Sequence, residues 1–327
     1  MPFPKLDGVS VLVTGGAGFI GGHLAEELLA RGARVRVLDD LSTGLESNLD
    51  LFRDRVDFVR GDLRDTGDCA RACEGVDTVF HQGALGSVPR SVADPATSMA
   101  VNVGGTTNLF AAARDAGVRR IVYASSSSVY GDTPTLPKRE GEEGEVLSPY
   151  ALSKRMCEDL TRIFTRCYDM EIVGLRYFNV YGPRQRPDGP YAAVIPRFFD
   201  AYYSGRAPII FGDGEQSRDF TFVGDAVRAN LLAAGAPKAS CGRSYNVAGG
   251  KRVSLNQLWR VIRELVGGGP EPEHGDPRAG DVRHSLADLA DATAGLEYEP
   301  QVEVDEGLAI AAAHYKSAVD TSAAGVG

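Results

Sequence analysis

Cysteine is scarce and unpatterned in this chain of 327 residues. Five are present, Cys69, Cys73, Cys157, Cys167 and Cys241, an odd number with no CxxC pair. That argues against a disulfide framework and against a thiolate zinc site. Positive charge is also short: 35 Lys and Arg stand against 44 Asp and Glu, a formal net charge of −9. A general nucleic-acid binder needs a basic face to neutralise phosphates, so that class is excluded. A small anionic ligand is not, because a few local arginines outweigh a diffuse negative surface. Long hydrophobic runs are missing. No apolar stretch approaches the roughly 18 residues of a membrane span, and the opening MPFPKLDGVSVLVTGG lacks the charged and apolar regions of a signal peptide. Of the five histidines, His274, His284 and His314 are scattered and suggest no metal site. These absences together predict a reduced, cytoplasmic protein with no metal, no membrane partner and no nucleic acid.

Apolar residues make up 43% and charged residues 24%, enough for an ordinary core. The first half alternates short β-rich runs with helical spacing. Strands are expected at Val9–Thr14, Arg34–Asp39, Val56–Arg60, Thr78–His81, Arg120–Ala124 and Ile172–Tyr177. Such alternation predicts an α/β fold, a Rossmann-type doubly wound parallel sheet covered on both faces. After Tyr181 the pattern loosens. Helices are expected at Val194–Tyr203, Ala226–Ala234 and Leu255–Val266, and short strands at Ile209–Phe211 and Ser244–Val247. Gly267–Gly280, dense in Gly and Pro, reads as a connection, and the small-residue tail Thr321–Gly327 as a frayed end. The expected organisation is a dinucleotide domain over 1–180 and a smaller C-terminal α/β substrate part over 181–327, with some crossing of the chain between them.

Residues 14–21 read TGGAGFIG between the first strand and the first helix. Glycines at 15, 18 and 21 permit a tight turn, close approach of backbone to a pyrophosphate, and tight helix–strand packing. The helix N-terminus supplies N–H groups and partial positive charge to phosphates. Phe19 and Ile20 open that helix. Asp39 closes the second strand about 20 residues on, where a carboxylate accepts from the adenosine ribose hydroxyls and repels a 2′-phosphate, so NAD is expected over NADP. Asp62 and Leu63 follow the third strand, the usual place of adenine contacts.

Residues 124–131, ASSSSVYG, close another strand, and 148–154, SPYALSK, open a helix with Ser148 as N-cap and Pro149 in its first turn. Tyr150 and Lys154 are four apart and share a helix face. An ammonium beside a phenol favours the phenolate. A phenolate stable near neutrality takes a proton from a hydroxyl, and a nicotinamide accepts the hydride. Alone, Tyr-x-x-x-Lys is a common accident of helical spacing. The glycine turn and the serine-rich strand end in the same chain give it weight.

These segments resemble the extended short-chain dehydrogenase/reductase family, and within it the nucleotide-sugar 4-epimerases. TGGAGFIGGHL, ASSSSVYGD, SPYALSK, GLRYFNVYGPRQ, GDGEQSRDFTFV and AGDVRHSLAD carry the resemblance from residue 11 to about 310. LGSVPRSVADP and PDGPYAAVIPRF bring it nearest to bacterial UDP-N-acetylglucosamine 4-epimerases. The resemblance implies Tyr150 as base, Lys154 as its partner and ribose ligand, and Ser126 as a bridging hydroxyl. It places Asn102 near the cofactor. It places Ser87, Ser127, Ser128, Asn179, Ala193, Val194 and Arg197 around the substrate, with Arg218 and Arg278 on the diphosphate, Asp281 on the uridine ribose and Ser285 beside the sugar. The helical segments around Thr97–Ala116 and Ser148–Tyr168 resemble the pair that forms a four-helix homodimer interface in the family.

Related dehydratases and decarboxylases carry an acid after the bridging hydroxyl. Here Ser127-Ser128-Val129 follows it, which points to oxidation and re-reduction at C4 of a UDP-sugar. Small residues at Ala193 and Ser285 leave room for a 2-N-acetyl group. Arg90, Arg186 and Arg197 leave open a uronate, and a modified sugar is a further alternative. A net dehydrogenase or a non-catalytic NAD-binding protein are the readings from other classes. His23, His81 and Trp259 read as structural.

Overall fold

The structure, a computed structural model, describes residues 5–188, 192–276 and 282–324. Seven strands build the main sheet, numbered here in chain order: β1 (Ser10–Thr14), β2 (Arg34–Asp39), β3 (Val56–Arg60), β4 (Thr78–His81), β5 (Arg120–Ser126), β6 (Glu171–Tyr177) and β7 (Arg243–Val247). Their order across the sheet is β7-β6-β5-β4-β1-β2-β3 and every pairing is parallel. Successive side chains point to opposite faces. Val11 and Val13 therefore pack with Leu24 and Leu28 of helix Phe19–Ala30 and with Leu231 and Leu232 of helix Val223–Gly235. Leu12, between them, packs with Cys69, Leu109, Phe110 and Phe164 on the other face. Burial on both faces explains the near-continuous apolar runs, each fully buried Val or Leu contributing about 1.5–3 kcal/mol.

A separate apolar cluster joins helices Val194–Tyr203, Leu255–Val266 and Val304–Ala324 through Phe198, Phe199, Trp259, Ile262 and Leu308. Three two-stranded pieces border it: Val180–Tyr181 with Thr221–Phe222, Ser217–Asp219 with Arg252–Ser254, and Ile209–Phe211 with Glu273–Gly275. The last lies inside the stretch expected to be only a connection. Its three residues, Glu-His-Gly, carry no apolar alternation, so only pairing to Ile209–Phe211 reveals it as a strand. Helix Val223–Gly235 and β7 return to the main sheet although both follow residue 181. No helix among the described residues is long and apolar enough to cross a membrane.

Candidate active site

The order in which strands are added across the sheet reverses between β1 and β4, and ligands of open α/β sheets bind outside the carboxyl ends of strands at such a point. A cleft of about 520 Å³ lies there. Its walls include Gly15, Gly18, Phe19, Ile20, Gly21, Asp39, Asp62 and Leu63 at one end, and Ser126, Tyr150, Lys154 and Asn179 at the other. Local geometry requires two of the glycines. Gly15 has φ +69°, and a Cβ there would sit 2.7 Å from the Gly83 backbone nitrogen. A Cβ at Gly21 would come within 2.2 Å of the Gly15 carbonyl oxygen. Helix Phe19–Ala30 starts at Gly18 with no side-chain cap, so its first N–H groups are left for a ligand.

Asp39 is buried. Its carboxylate accepts from the backbone N–H of Ala17 and of Leu41, each at 2.9 Å, and desolvation raises its proton affinity above the usual carboxylate range. Two acceptors remain partly free, as ribose hydroxyls require, and Asp40 beside it adds a second charge against a 2′-phosphate. Asp62 forks onto Arg64, whose guanidinium holds its carboxyl below the ordinary range.

At the opposite end, Ser148 caps helix Pro149–Tyr168 by accepting from the Ala151 N–H at 3.1 Å, and Pro149 occupies its first turn. The Tyr150 backbone N–H donates to Ser91 Oγ at 3.0 Å. Lys154 is 5% exposed; its Nζ donates to the Ala124 carbonyl at 2.8 Å and stands 6.0 Å from the centre of the Tyr150 ring. Ser128 donates to Ser126 Oγ at 2.9 Å, which leaves the Ser126 proton free to point elsewhere. His81 bridges Thr14 and Thr106 at 2.7 and 2.9 Å, and burial depresses its pKa to about 3. It is a neutral strut behind Lys154.

A second cavity of about 250 Å³ shares Asn179, Val180 and Gln185 with the cleft, so the two adjoin. Ala193, Val194, Arg197 and Arg218 line it. Six sequence-derived residues line neither space, Arg90 among them. Asn102 is 1% exposed, and its amide is spent on both backbone groups of Leu85 and on Ser153 Oγ. It thereby shapes the cleft through Leu85, which does line it. A single turn of π-helix, Ala100–Gly104, turns it inward. Ser87 caps helix Val88–Ala93 through the Arg90 N–H. Ser127 and Ser128 start a 3₁₀ turn, and Ser285 pairs its N–H with the Ser217 carbonyl. Arg278 and Asp281 lie outside the described residues. Sequence reasoning missed Ser42, Asn48, Gln82, Leu85 and Tyr177 in the cleft wall. The signal was available for Gln82, Leu85 and Ser42: the first two follow the carboxyl end of β4 at the reversal point, and Ser42 follows that of β2.

Residues 11–248 match the NAD dependent epimerase/dehydratase family. The chain is 42% identical over 302 residues to a UDP-glucose 4-epimerase of Mycolicibacterium smegmatis, covering 91% of this chain and 96% of that one. It superposes on a UDP-N-acetylglucosamine 4-epimerase of Methanobrevibacter ruminantium in complex with UDP-N-acetylmuramic acid with a TM-score of 0.91 at 37% identity, covering 95% and 99% of the two chains. A UDP-glucose 4-epimerase of Thermus thermophilus in complex with NAD gives a TM-score of 0.86 at 36% identity, covering 95% and 100%. This chain belongs to the NAD dependent epimerase/dehydratase family, on the extended short-chain dehydrogenase/reductase fold.

Proposed function

We propose that the chain is an NAD-dependent UDP-sugar 4-epimerase, with UDP-N-acetylglucosamine and UDP-N-acetylgalactosamine as its substrate pair. The observation that carries this reading is the cleft itself: Ser126, Tyr150 and Lys154 close one end of a crevice that adjoins a cavity with Arg197 and Arg218 in its wall. NAD, when bound, would supply a reversible hydride acceptor for C4 of the sugar. Tyr150 takes the proton from the C4 hydroxyl, with Ser126 bridging phenol and sugar oxygen. Lys154 stabilises the phenolate and holds a ribose hydroxyl. The ketone at C4 turns over in the pocket and is reduced on its other face, and Tyr150 then gives the proton back. Asn179 holds the sugar nucleotide, and Arg218 of the second cavity grips its diphosphate as a fork. No carboxylate follows Ser126 to drive elimination or decarboxylation.

Ala193 contributes only a methyl group to the cavity wall, and that supports space for an N-acetyl group. A second reading, a uronate, rests on Arg186. It borders the cleft and its guanidinium is paired with Asp188, so an incoming carboxylate could replace that partner. Protein purified without added cofactor and incubated separately with UDP-GlcNAc, UDP-Glc and UDP-GlcA decides among them. NMR of the anomeric region is expected to show the 4-epimer of UDP-GlcNAc at the greatest rate. A preference for UDP-GlcA would move the assignment to the uronate, and no epimer from any of the three would remove the epimerase reading.

The same helix supports a homodimer. Leu152, Met156 and Ile163 of helix Pro149–Tyr168 are 42%, 37% and 46% exposed and lie on one stripe, at spacings of four and seven residues. An apolar stripe at that spacing suits a helix from a second copy.

A further inference from the structure

Behind the reaction centre lies a buried charge cluster that none of the chemistry above uses. Glu158 follows Lys154 by one turn on the same face of helix Pro149–Tyr168, and its side chain is 3% exposed. Arg176, at the end of β6, forks onto it: Nε donates to Oε1 at 2.8 Å and Nη2 to Oε2 at 2.7 Å. Arg176 Nη1 donates to the Tyr130 hydroxyl at 3.0 Å and pairs with Glu143 Oε1 at 2.5 Å. Ser125 Oγ donates to Glu158 Oε1 at 2.6 Å. Lys154 meanwhile holds the preceding residue, through the Ala124 carbonyl at 2.8 Å. Two adjacent residues of β5, immediately before Ser126, are thus gripped by two side chains one helical turn apart. Tyr130, which ends the turn after Ser126, is tied through its hydroxyl to Asn246 Oδ1 on β7 at 2.8 Å.

We infer that the Glu158–Arg176 pair is the positioning element of this centre, setting the distance between Ser126 and the Tyr150–Lys154 face and balancing the charge behind Lys154. This rests on the reading of Tyr150 as the base. A buried ion pair is no strong source of stability, since an apolar replacement of similar volume is often neutral. A planar fork does, however, fix orientation in a way apolar contacts do not. Here it spans helix Pro149–Tyr168, β5 by way of Ser125, β6 and the turn at Tyr130. Lys154, Glu158, Arg176 and Glu143 carry two charges of each sign and sum to zero. Further ionisable groups surround Lys154 and Tyr150, and of these Glu140 is a carboxylate that faces Arg176 and Tyr130 and stands outside this sum. His81 on β4 is neutral, Cys157, Tyr123 and Tyr177 are buried, Glu140 has its proton affinity raised by burial, and Arg90 lies on helix Val88–Ala93.

The charge balance gives variants with opposite signatures. Glu158→Gln removes one negative charge from behind Lys154 and Arg176→Met removes one positive charge. Both should lower kcat by roughly 10²-fold with a smaller change in KM, as expected when catalytic groups are displaced by about 1 Å. The acid limb of kcat/KM against pH should move down in Glu158→Gln and up in Arg176→Met, each by about one pH unit for a unit charge at an effective dielectric near 20. Ser125→Ala removes one strand contact without changing charge, so its limb stays in place while kcat falls. The same shifts should appear without substrate, in the tyrosinate absorbance of each variant after subtraction of its Tyr150→Phe counterpart. Limbs that move together or not at all, in proteins with native circular dichroism, overturn the inference. If Arg176→Met does not fold, a Glu158→Gln limb that is unmoved or raised overturns it alone. If the unmodified enzyme epimerises no UDP-sugar, the proposed function fails while the absorbance titration still decides the role of this pair.

Discussion

Tyr150 is placed by its own backbone. Its N–H is held by Ser91 Oγ at 3.0 Å, and the helix start is locked by the Ser148 cap. The ring therefore enters the cleft from a fixed point, and Lys154 approaches it from the next turn. Replacing Tyr150 by Phe removes only a hydroxyl, so the helix, the cap and the cleft should survive. Loss of a positioned acid–base group lowers turnover by about 10²–10⁴-fold, and the Tyr150→Phe enzyme should fall in that range with an unchanged melting temperature. Turnover within a few-fold of the unmodified enzyme would take Tyr150 out of the mechanism. Asn102 teaches a different lesson at the same scale. A polar residue near a cofactor cleft looks like a ligand in sequence, yet here both ends of its amide are consumed by Leu85 and Ser153.

Helix Pro149–Tyr168 is the element on which most of the proposal turns. One face carries Tyr150 and Lys154 toward the cleft, Glu158 is buried against β6, and Leu152, Met156 and Ile163 face outward. Twenty residues make more than five turns, enough to serve all three purposes. If the outward stripe is a dimer seam, Leu152→Asp combined with Ile163→Asp should yield a monomer by light scattering. Each charge would otherwise be buried unpaired between copies. The catalytic face is not touched by these changes, so the cleft should still bind NAD. A doubly substituted protein that still runs as a dimer would place the seam elsewhere.

At the scale of the whole molecule, one buried and one partly buried histidine make stability depend on pH. Burial lowers the pKa of His81 to about 3, and burial together with the Arg184 guanidinium lowers that of His23 to about 4, from an ordinary value of 6.5. Both are neutral in the folded chain and gain protons more readily when it unfolds. Their contribution is present above pH 6.5 and is lost as pH falls through the window from about 6.5 toward 3–4. His81→Gln can keep hydrogen bonds to Thr14 and Thr106 without titrating. The melting-temperature difference between the original chain and His81→Gln should therefore shift in favour of the variant as pH drops from 7 to 4.5. A difference constant across that range would show that His81 does not carry the effect.

Local chemistry determined much of this protein. Val11–Val13 and their counterparts are apolar without interruption because both faces of the sheet are covered, and such runs are legible in one dimension. Gly15 and Gly21 are legible because a turn of that tightness excludes every Cβ. Ser148, Pro149, Tyr150 and Lys154 are legible because capping and helical spacing act over a few residues. Tertiary structure decided what depends on distant partners. β7 joins the sheet beside β6 only because an edge is open there. Glu273–Gly275 is a strand only because Ile209–Phe211 lies alongside. Glu158 and Arg176, 18 residues apart, are each an ordinary charge in sequence. Their meeting behind Lys154 follows from helix packing on β6, and burial alone makes that meeting consequential, since the same pair at the surface would be worth at most about 1 kcal/mol.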